Sequence, residues 1–466
     1  MTPPYDLTVS CGCIVTMNPR REIIHDGMIA VRGGKIVAIG TAAELGPAPS
    51  GKHIDARRSL VIPGLIDSHN HPIHFLSKGI CDEMPVQRRW RERVWPYEAQ
   101  LSAADSRLAA TGTFLEMIRN GTTCFNDPGT FQPDAVAEAA IETGIRGVVA
   151  RLAWDVRDPT APDYDDTTED AVAKGAATVE KWHGAGEGRL KGSFSLVRSA
   201  HVSDALCRAV KRRADAINVN MHGHLCTTRQ EVELARQNTG MTPLERYRRL
   251  GLLGSNLILV HMGWAGADEV PLLAKHDVSV CHCPSASMLG GFGCISHGKF
   301  PEMVDADVRV VLGSDACAIS RFVDMVRVMY LAACGHKDAR TDPTVIGAHK
   351  AMEMATVDAA RALLWDDQIG SLEPGKCADL VIVDADGPIW HPNPFRNPVG
   401  NLIYSASGAS VRTVVIDGKV VMEDRRFSTI DEDAFLAKAD AASRRVLARH
   451  GIDIGPQWPR ARQCRD

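Results

Sequence analysis

The chain has 466 residues, 53 of them basic and 57 acidic, for a net charge of −4. With 45% hydrophobic and 24% charged residues it reads as a globular protein, and the absence of a basic excess argues against a dedicated nucleic-acid partner. No apolar run approaches the ~18 residues of a membrane span. The opening MTPPYDLTVS lacks the features of a secretory signal, so the 13 cysteines are expected to be free thiols in a cytoplasmic protein.

In chain order, residues 1–60 read as short strands and turns. DLTVSCGCIVTMN alternates as a half-buried strand does, and MIAVRGGKIVAIG predicts a hairpin turning at Gly33-Gly34. The apolar runs SLVIPGLID, GVVARLAW, AINVNMHGHL, NLILVHMGW, VSVCHC and VRVVLGSD then alternate with helix-like stretches such as ADSRLAATGTFLEMIRNG and DAVAEAAIETG. That alternation predicts an α/β fold with a parallel sheet, doubly wound or closed into a barrel. ADLVIVDAD and VRTVVIDGKVVMED return to β patterning, the latter turning at Asp417-Gly418, before an amphipathic helix in IDEDAFLAKADAASRRVLARH. Neither β-rich end has enough strands to bury its own apolar face. Residues 1–60 and 370–430 are therefore expected to form one discontinuous β domain flanking a barrel at 61–369, with 431–466 as a C-terminal helix and tail.

Five of the strand-like runs end in a metal-capable or acid/base residue. SLVIPGLIDSHNH reaches Asp67, His69 and His71, and side chains two apart on a strand point the same way, so the two histidines can grip one cation. The later runs end in His222 and His224, then His261, His282 and Asp315. Barrel enzymes take their catalytic groups from the C-terminal ends of several strands. Imidazoles plus one carboxylate around an open position make a divalent-metal site of catalytic type. At this point either His222 or His224 is the ligand, and Asp67 is either a deep ligand or a strand-end cap.

Competing motifs are absent from the sequence. Cys11-Gly-Cys13 and Cys281-His-Cys283 are not paired C-x-x-C elements, and no Walker loop, GxGxxG fingerprint or G-x-S-x-G elbow occurs.

VIPGLIDSHNH, MIRNGTTCFND, HGHLCTTRQEVE, LVHMGW, CHCPSASMLGGFG, LGSDA and GSLEPGKCADLVIVDAD resemble, in order, the motifs of the amidohydrolase superfamily. Within it they are similar to the cytosine-deaminase-like and triazine-hydrolase (chlorohydrolase) branch. The resemblance implies a metal-dependent (β/α)8 TIM barrel with a small β-sandwich domain. It implies one divalent metal held by His69, His71, His224 and Asp315. Zn2+ is the first expectation, and Fe2+, Co2+ and Mn2+ are also compatible. Asp315 would take the proton of the attacking water, His261 would polarise the group under attack, and His282 would contact substrate or orient the site. His222, Thr227, Cys283 and Trp264 fall on the substrate side. The expected partner is a small-molecule substrate, and the family implies a homo-oligomer, dimer or tetramer.

One departure bears on the chemistry. Deaminases of this branch carry glutamate three residues after the strand-five histidine, where this chain has Thr227; Glu231 matches a later position of the motif. A threonine hydroxyl is a poor proton donor near neutrality. That favours a substrate whose reactive carbon is already a carbonyl: a urea, carbamate, thiocarbamate or amide, as in phenylurea and molinate hydrolases. The alternative is an aminohydrolase of a nucleobase, triazine or related heterocycle. HCP for HNP at Cys283, with Trp264, Phe292 and Phe300 nearby, suggests a less polar pocket. Specificity is expected in the loops at 75–100 and 155–168. The arginine-rich QRRWRERVW in the first reads as a solvated charged helix.

Overall fold

The computed structural model describes residues 5–46, 50–157 and 166–449, together with 451, 452, 454 and 458. It contains two eight-stranded sheets, one parallel and one mixed. The mixed sheet takes β1 (Tyr5–Val15), β2 (Ile23–Arg32), β3 (Lys35–Thr41) and β4 (Ser50–Pro63) from the start of the chain. The parallel sheet follows: β5 (Leu65–Asp67), β6 (Thr122–Asn126), β7 (Arg146–Arg151), β8 (Leu190–Arg198), β9 (Met221–Leu225), β10 (Leu257–His261), β11 (Ser279–His282) and β12 (Val310–Leu312). β13 (Leu380–Asp384), β14 (Val411–Ile416), β15 (Lys419–Glu423) and β16 (Arg426–Phe427) then complete the mixed sheet.

The parallel strands pair in sequence order from β5 to β12. The Ser68 N–H donates to the Leu312 carbonyl at 2.9 Å and the Asp315 N–H to the His69 carbonyl at 2.8 Å, bringing the two edges together as a barrel. Asp67 secures the same seam: its carboxylate accepts the Ser314 N–H at 2.9 Å and the Ser314 hydroxyl. It is therefore a strut between β5 and the segment after β12. Strands buried on both faces read as continuous apolar runs, which is how six of the eight stand out in the sequence. The other two, TTCFN in β6 and LKGSFSLVR in β8, are interrupted by polar residues and glycine.

The helices between strands follow ordinary start and stop rules. Ala103–Arg119 opens at Ser102, whose side chain accepts the Asp105 N–H, and gives way at Asn120 to Gly121, whose φ of +85° suits glycine. The C-terminal helix, Glu432–Arg449, buries Phe435, Ala439, Ala442 and Val446 along one stripe. Ser443 of this helix donates to the Leu76 carbonyl, bracing the turn that follows His71.

The mixed sheet runs β16-β15-β14-β13-β4-β1-β2-β3, so strands from both ends of the chain share one sheet. Its hairpins turn at Gly33-Gly34 and Asp417-Gly418, all four with positive φ as the favoured two-residue hairpin turns require. The Ala378 N–H bonds to Gly34 and the Gly418 N–H to Ala378, so the sheet curls over a core including Val9, Ile29, Ile36, Ile54, Leu380 and Val415. The sandwich-like unit is thus a single sheet rolled on itself. Arg146, at the start of β7, forks onto both carboxylate oxygens of Asp379 at 2.7 and 3.0 Å. This buried pair joins the rolled sheet to the N-terminal end of the barrel. The 12 described cysteines are all unpaired.

Candidate active site

The histidines and Asp315 meet where the barrel strands end. His69 and His71 follow β5, His222 and His224 lie in β9, His261 closes β10, and Asp315 follows β12. Asp315 Oδ1 lies 3.6 Å from His69 Nε2 and 3.8 Å from His71 Nε2, and its Oδ2 lies 3.9 Å from His261 Nε2. His69, His224 and His261 present nitrogens within 4.8 Å of one another.

Hydrogen bonds fix which face each ring offers. The Nδ1 of His224 lies 2.8 Å from the Val197 carbonyl, so Nδ1 carries the proton and Nε2 keeps its lone pair for the cluster. His222 Nε2 lies 3.0 Å from His69 Nδ1, and its own Nδ1 lies 2.8 Å from Asn126 Nδ2. Of the two histidines of HGH, His224 faces the centre and His222 backs onto His69. Asn70 donates to the Asp315 carbonyl at 2.7 Å and to Ser314 Oγ at 2.9 Å, tying the His69–His71 segment to Asp315.

Two of these residues are held in an unusual backbone. His261 has φ +74° and Asp315 φ +65°, and Cys226, two residues past His224, has φ +51°. Non-glycine residues in this region cost of order 1–3 kcal/mol each and cluster at functional sites. Protonation states follow from the surroundings. Burial, then neighbouring imidazoles, pull His71, His222 and His224 well below the usual histidine range, and burial pulls His261 down to about 3. Burial alone would raise Asp315, but the imidazoles of His69, His261 and His71 around it hold its carboxyl below the ordinary range.

Neutral imidazoles around a carboxylate are the ligand state of a divalent cation site. The donor set fits such an ion: His69 Nε2 is buried with no hydrogen-bond partner, and it points at the shared centre. Ligands about 2.0–2.1 Å from one tetrahedral zinc lie roughly 3.3 Å apart, close to the separations here. Cys283 also lies beside His69 and Asp315, and burial pushes its thiol well up.

A cavity of about 290 Å³ opens onto the cluster, with His71, His224, His261 and Asp315 in its wall. Thr227 lines it, as does Phe292. Glu231 lines it as well: its carboxylate accepts the Thr227 N–H at 2.8 Å and the Cys226 N–H at 3.2 Å. Trp90, Trp95 and Arg91 line it from the arginine-rich stretch, which is only partly the solvated helix expected, with Arg88–Glu92 as its exposed pair. An adjoining recess adds Glu98, Phe131 and Trp154. Arg198, at the end of β8, borders both spaces. Neither Arg198 nor Glu98 is flagged by any motif.

Three expected residues lie outside the cavity wall. His282 is fully buried, 3.1 Å from His336 Nε2 and stacked on Phe300 at 3.9 Å. Cys283 is buried beside His69 and Asp315. Trp264 spends its indole N–H on the Phe292 carbonyl and packs against His297. None of the three lines the cavity wall, which leaves His282 the position expected of a residue that orients the site. His222 is likewise enclosed by Asn126 and His69. The 155–168 loop falls largely, at 158–165, outside the described residues.

A parallel barrel with histidines and an aspartate converging at its strand ends, open to a cavity, defines a hydrolytic metal enzyme of the barrel class. Residues 60–421 match the amidohydrolase family, and the chain belongs to that family. It is a hydrolase acting on carbon–nitrogen bonds other than peptide bonds. It is 33% identical to the 5-methylthioadenosine/S-adenosylhomocysteine deaminase of Moorella thermoacetica, over 89% of this chain and 94% of that one. A solved structure of an adenosine deaminase from Xanthomonas campestris with bound zinc superposes with a TM-score of 0.89 at 29% identity, covering 96% of this chain and 100% of that one. The zinc complex of an atrazine chlorohydrolase from Arthrobacter aurescens shares the fold, with a TM-score of 0.83 at 22% identity over 94% and 100% of the two chains. No described helix is long and apolar enough to cross a membrane.

Proposed function

We propose that the protein is a metal-dependent aminohydrolase that converts an amino-substituted nitrogen heterocycle of the adenine-nucleoside type to its oxo form, releasing ammonia. The observation that carries this reading is the near-full-length relationship to a 5-methylthioadenosine/S-adenosylhomocysteine deaminase, which favours ring deamination over the urea, carbamate or amide substrates expected from Thr227.

His69, His71, His224 and Asp315 would hold the metal, zinc as in the Xanthomonas structure. A bound divalent cation supplies the Lewis acidity that makes water a nucleophile near neutral pH. Asp315 accepts the proton of the attacking water and delivers it to the departing amine, so water and the amine yield the oxo compound and ammonia. His261, across from Asp315, stabilises charge developing at the carbon under attack. His222 keeps His69 aimed at the centre.

Ring-nitrogen protonation falls to Glu231. The Glu231 carboxyl accepts the Thr227 N–H at the cavity wall, and burial raises its pKa, which supports it as the source of this proton. A second reading keeps its support in Thr227: without a carboxylate at that position, a substrate with a ready-made carbonyl needs only Asp315, His261 and the metal.

The test is a panel assay. Ammonia release from 5′-methylthioadenosine, S-adenosylhomocysteine, adenosine and guanine is compared with amine release from aryl ureas, carbamates and anilides. Deamination dominating the panel is the expected result; turnover confined to the ureas, carbamates or anilides overturns the proposal in favour of the second reading.

A further inference from the structure

Whereas Arg91 on the same wall is exposed to solvent, Arg198 is a partly buried cavity residue with no ion-pair partner among the described residues. It ends β8, in register with the proposed ligand His224 on β9, so it stands next to the reaction centre. Its guanidinium lies over the indole of Trp90, 3.9 Å from the ring centroid. Trp95 and Phe292 share the same cavity wall, and Trp154 lines the adjoining recess. Among the described residues it has no carboxylate within ion-pair distance and no hydrogen bond.

The nearby acids are engaged elsewhere. Glu231 takes the backbone N–H groups of Cys226 and Thr227, Glu98 pairs with His74 at 2.9 Å, and Asp315 sits among the histidines. A half-buried cation without a partner carries a desolvation cost of several kcal/mol that a ligand anion offsets. Burial pulls the Arg198 pKa down, in line with that cost. Stacking on Trp90 leaves the edge of the guanidinium free, and that edge presents the paired N–H donors that match a carboxylate or phosphate. Arg91, on the same wall, adds positive charge at the rim.

We propose that Arg198 is an anion-recognition residue, and that the substrate carries a carboxylate or phosphate on or beside the ring presented to Asp315. This deepens the aminohydrolase reading by naming a substrate class, and it is tested by binding alone, so its failure and that of the deaminase reading are separate events.

The experiment uses the zinc-loaded enzyme and probes that lack an amino group and are not turned over. Uracil is compared with orotate, which bears the carboxylate on the ring, and inosine with inosine 5′-monophosphate, which bears a phosphate farther out. Dissociation constants are measured by calorimetry at two salt concentrations. The anionic member of at least one pair should bind about 10- to 100-fold more tightly than its neutral twin. Which pair responds distinguishes a ring-borne anion from a distal phosphate. Arg198→Met should abolish the preference, and Arg198→Lys, which keeps the charge and guards against a folding failure, should retain part of it. The proposal is overturned if neither pair shows tighter anion binding, or if the preference survives Arg198→Met in a folded protein.

Discussion

His222 offers the sharpest test of how the centre is organised. Replacing it by phenylalanine keeps a planar ring in the buried slot and removes the 3.0 Å contact to His69 Nδ1 and the 2.8 Å contact to Asn126. Losing an outer partner of a metal-bound histidine typically lowers metal affinity about 10- to 100-fold, or about 1.4–2.8 kcal/mol. A second, separate effect acts without metal. The buried His69 Nδ1 loses its partner, which costs about 1–3 kcal/mol of stability. The assay is zinc competition against a chromogenic chelator, with chemical denaturation of the metal-free protein alongside and His69→Ala marking the loss of a direct ligand. His222→Phe should fall between wild type and His69→Ala. Affinity within about twofold of wild type would refute the orienting role. Affinity as low as that of His69→Ala would make His222 itself a ligand.

Asp315→Asn should lower turnover per bound metal by about 10²–10⁴-fold, with metal content measured on the same sample; near-normal turnover would remove Asp315 from proton transfer. Glu231→Gln should reduce kcat for ring deamination by about 10²-fold while KM stays close to wild type. A purely structural Glu231 would instead show as a lowered Tm at unchanged kcat. Arg146→Met leaves Asp379 buried and unpaired, which should cost about 3–5 kcal/mol in urea unfolding. Because the pair sits at the opposite end of the barrel from the cavity, kcat/KM of the folded variant should not change.

The strand-end histidines were legible because a barrel puts its chemistry where apolar runs stop, and because His69 and His71 share a face at a spacing of two. The two unflagged strands are the ones whose pattern is broken. TTCFN hides β6, and Lys191, Gly192 and Ser193 break up β8. Missing β8 meant missing Arg198. Glu98, Trp90 and Trp95 come from the 75–100 loop, where specificity is expected, but no local pattern singles out these residues within it. Glu231 was visible as a motif position, but only the fold puts its carboxyl beside Thr227. Motif proximity does not put His282, Cys283 or Trp264 on the cavity wall. Residues at or just after a strand end project to different sides of the backbone, and these three lie against Phe300, beside His69 and Asp315, and against His297.

The most direct test of a metal-dependent aminohydrolase is reconstitution of the metal-free protein. Zinc is titrated into chelator-treated enzyme while ammonia release from 5′-methylthioadenosine or another active member of the panel is followed. Activity should rise with added metal and level off near one equivalent per chain. Full ammonia release from verified metal-free protein, or none at any zinc, iron or cobalt loading on any aminated heterocycle, would contradict the account.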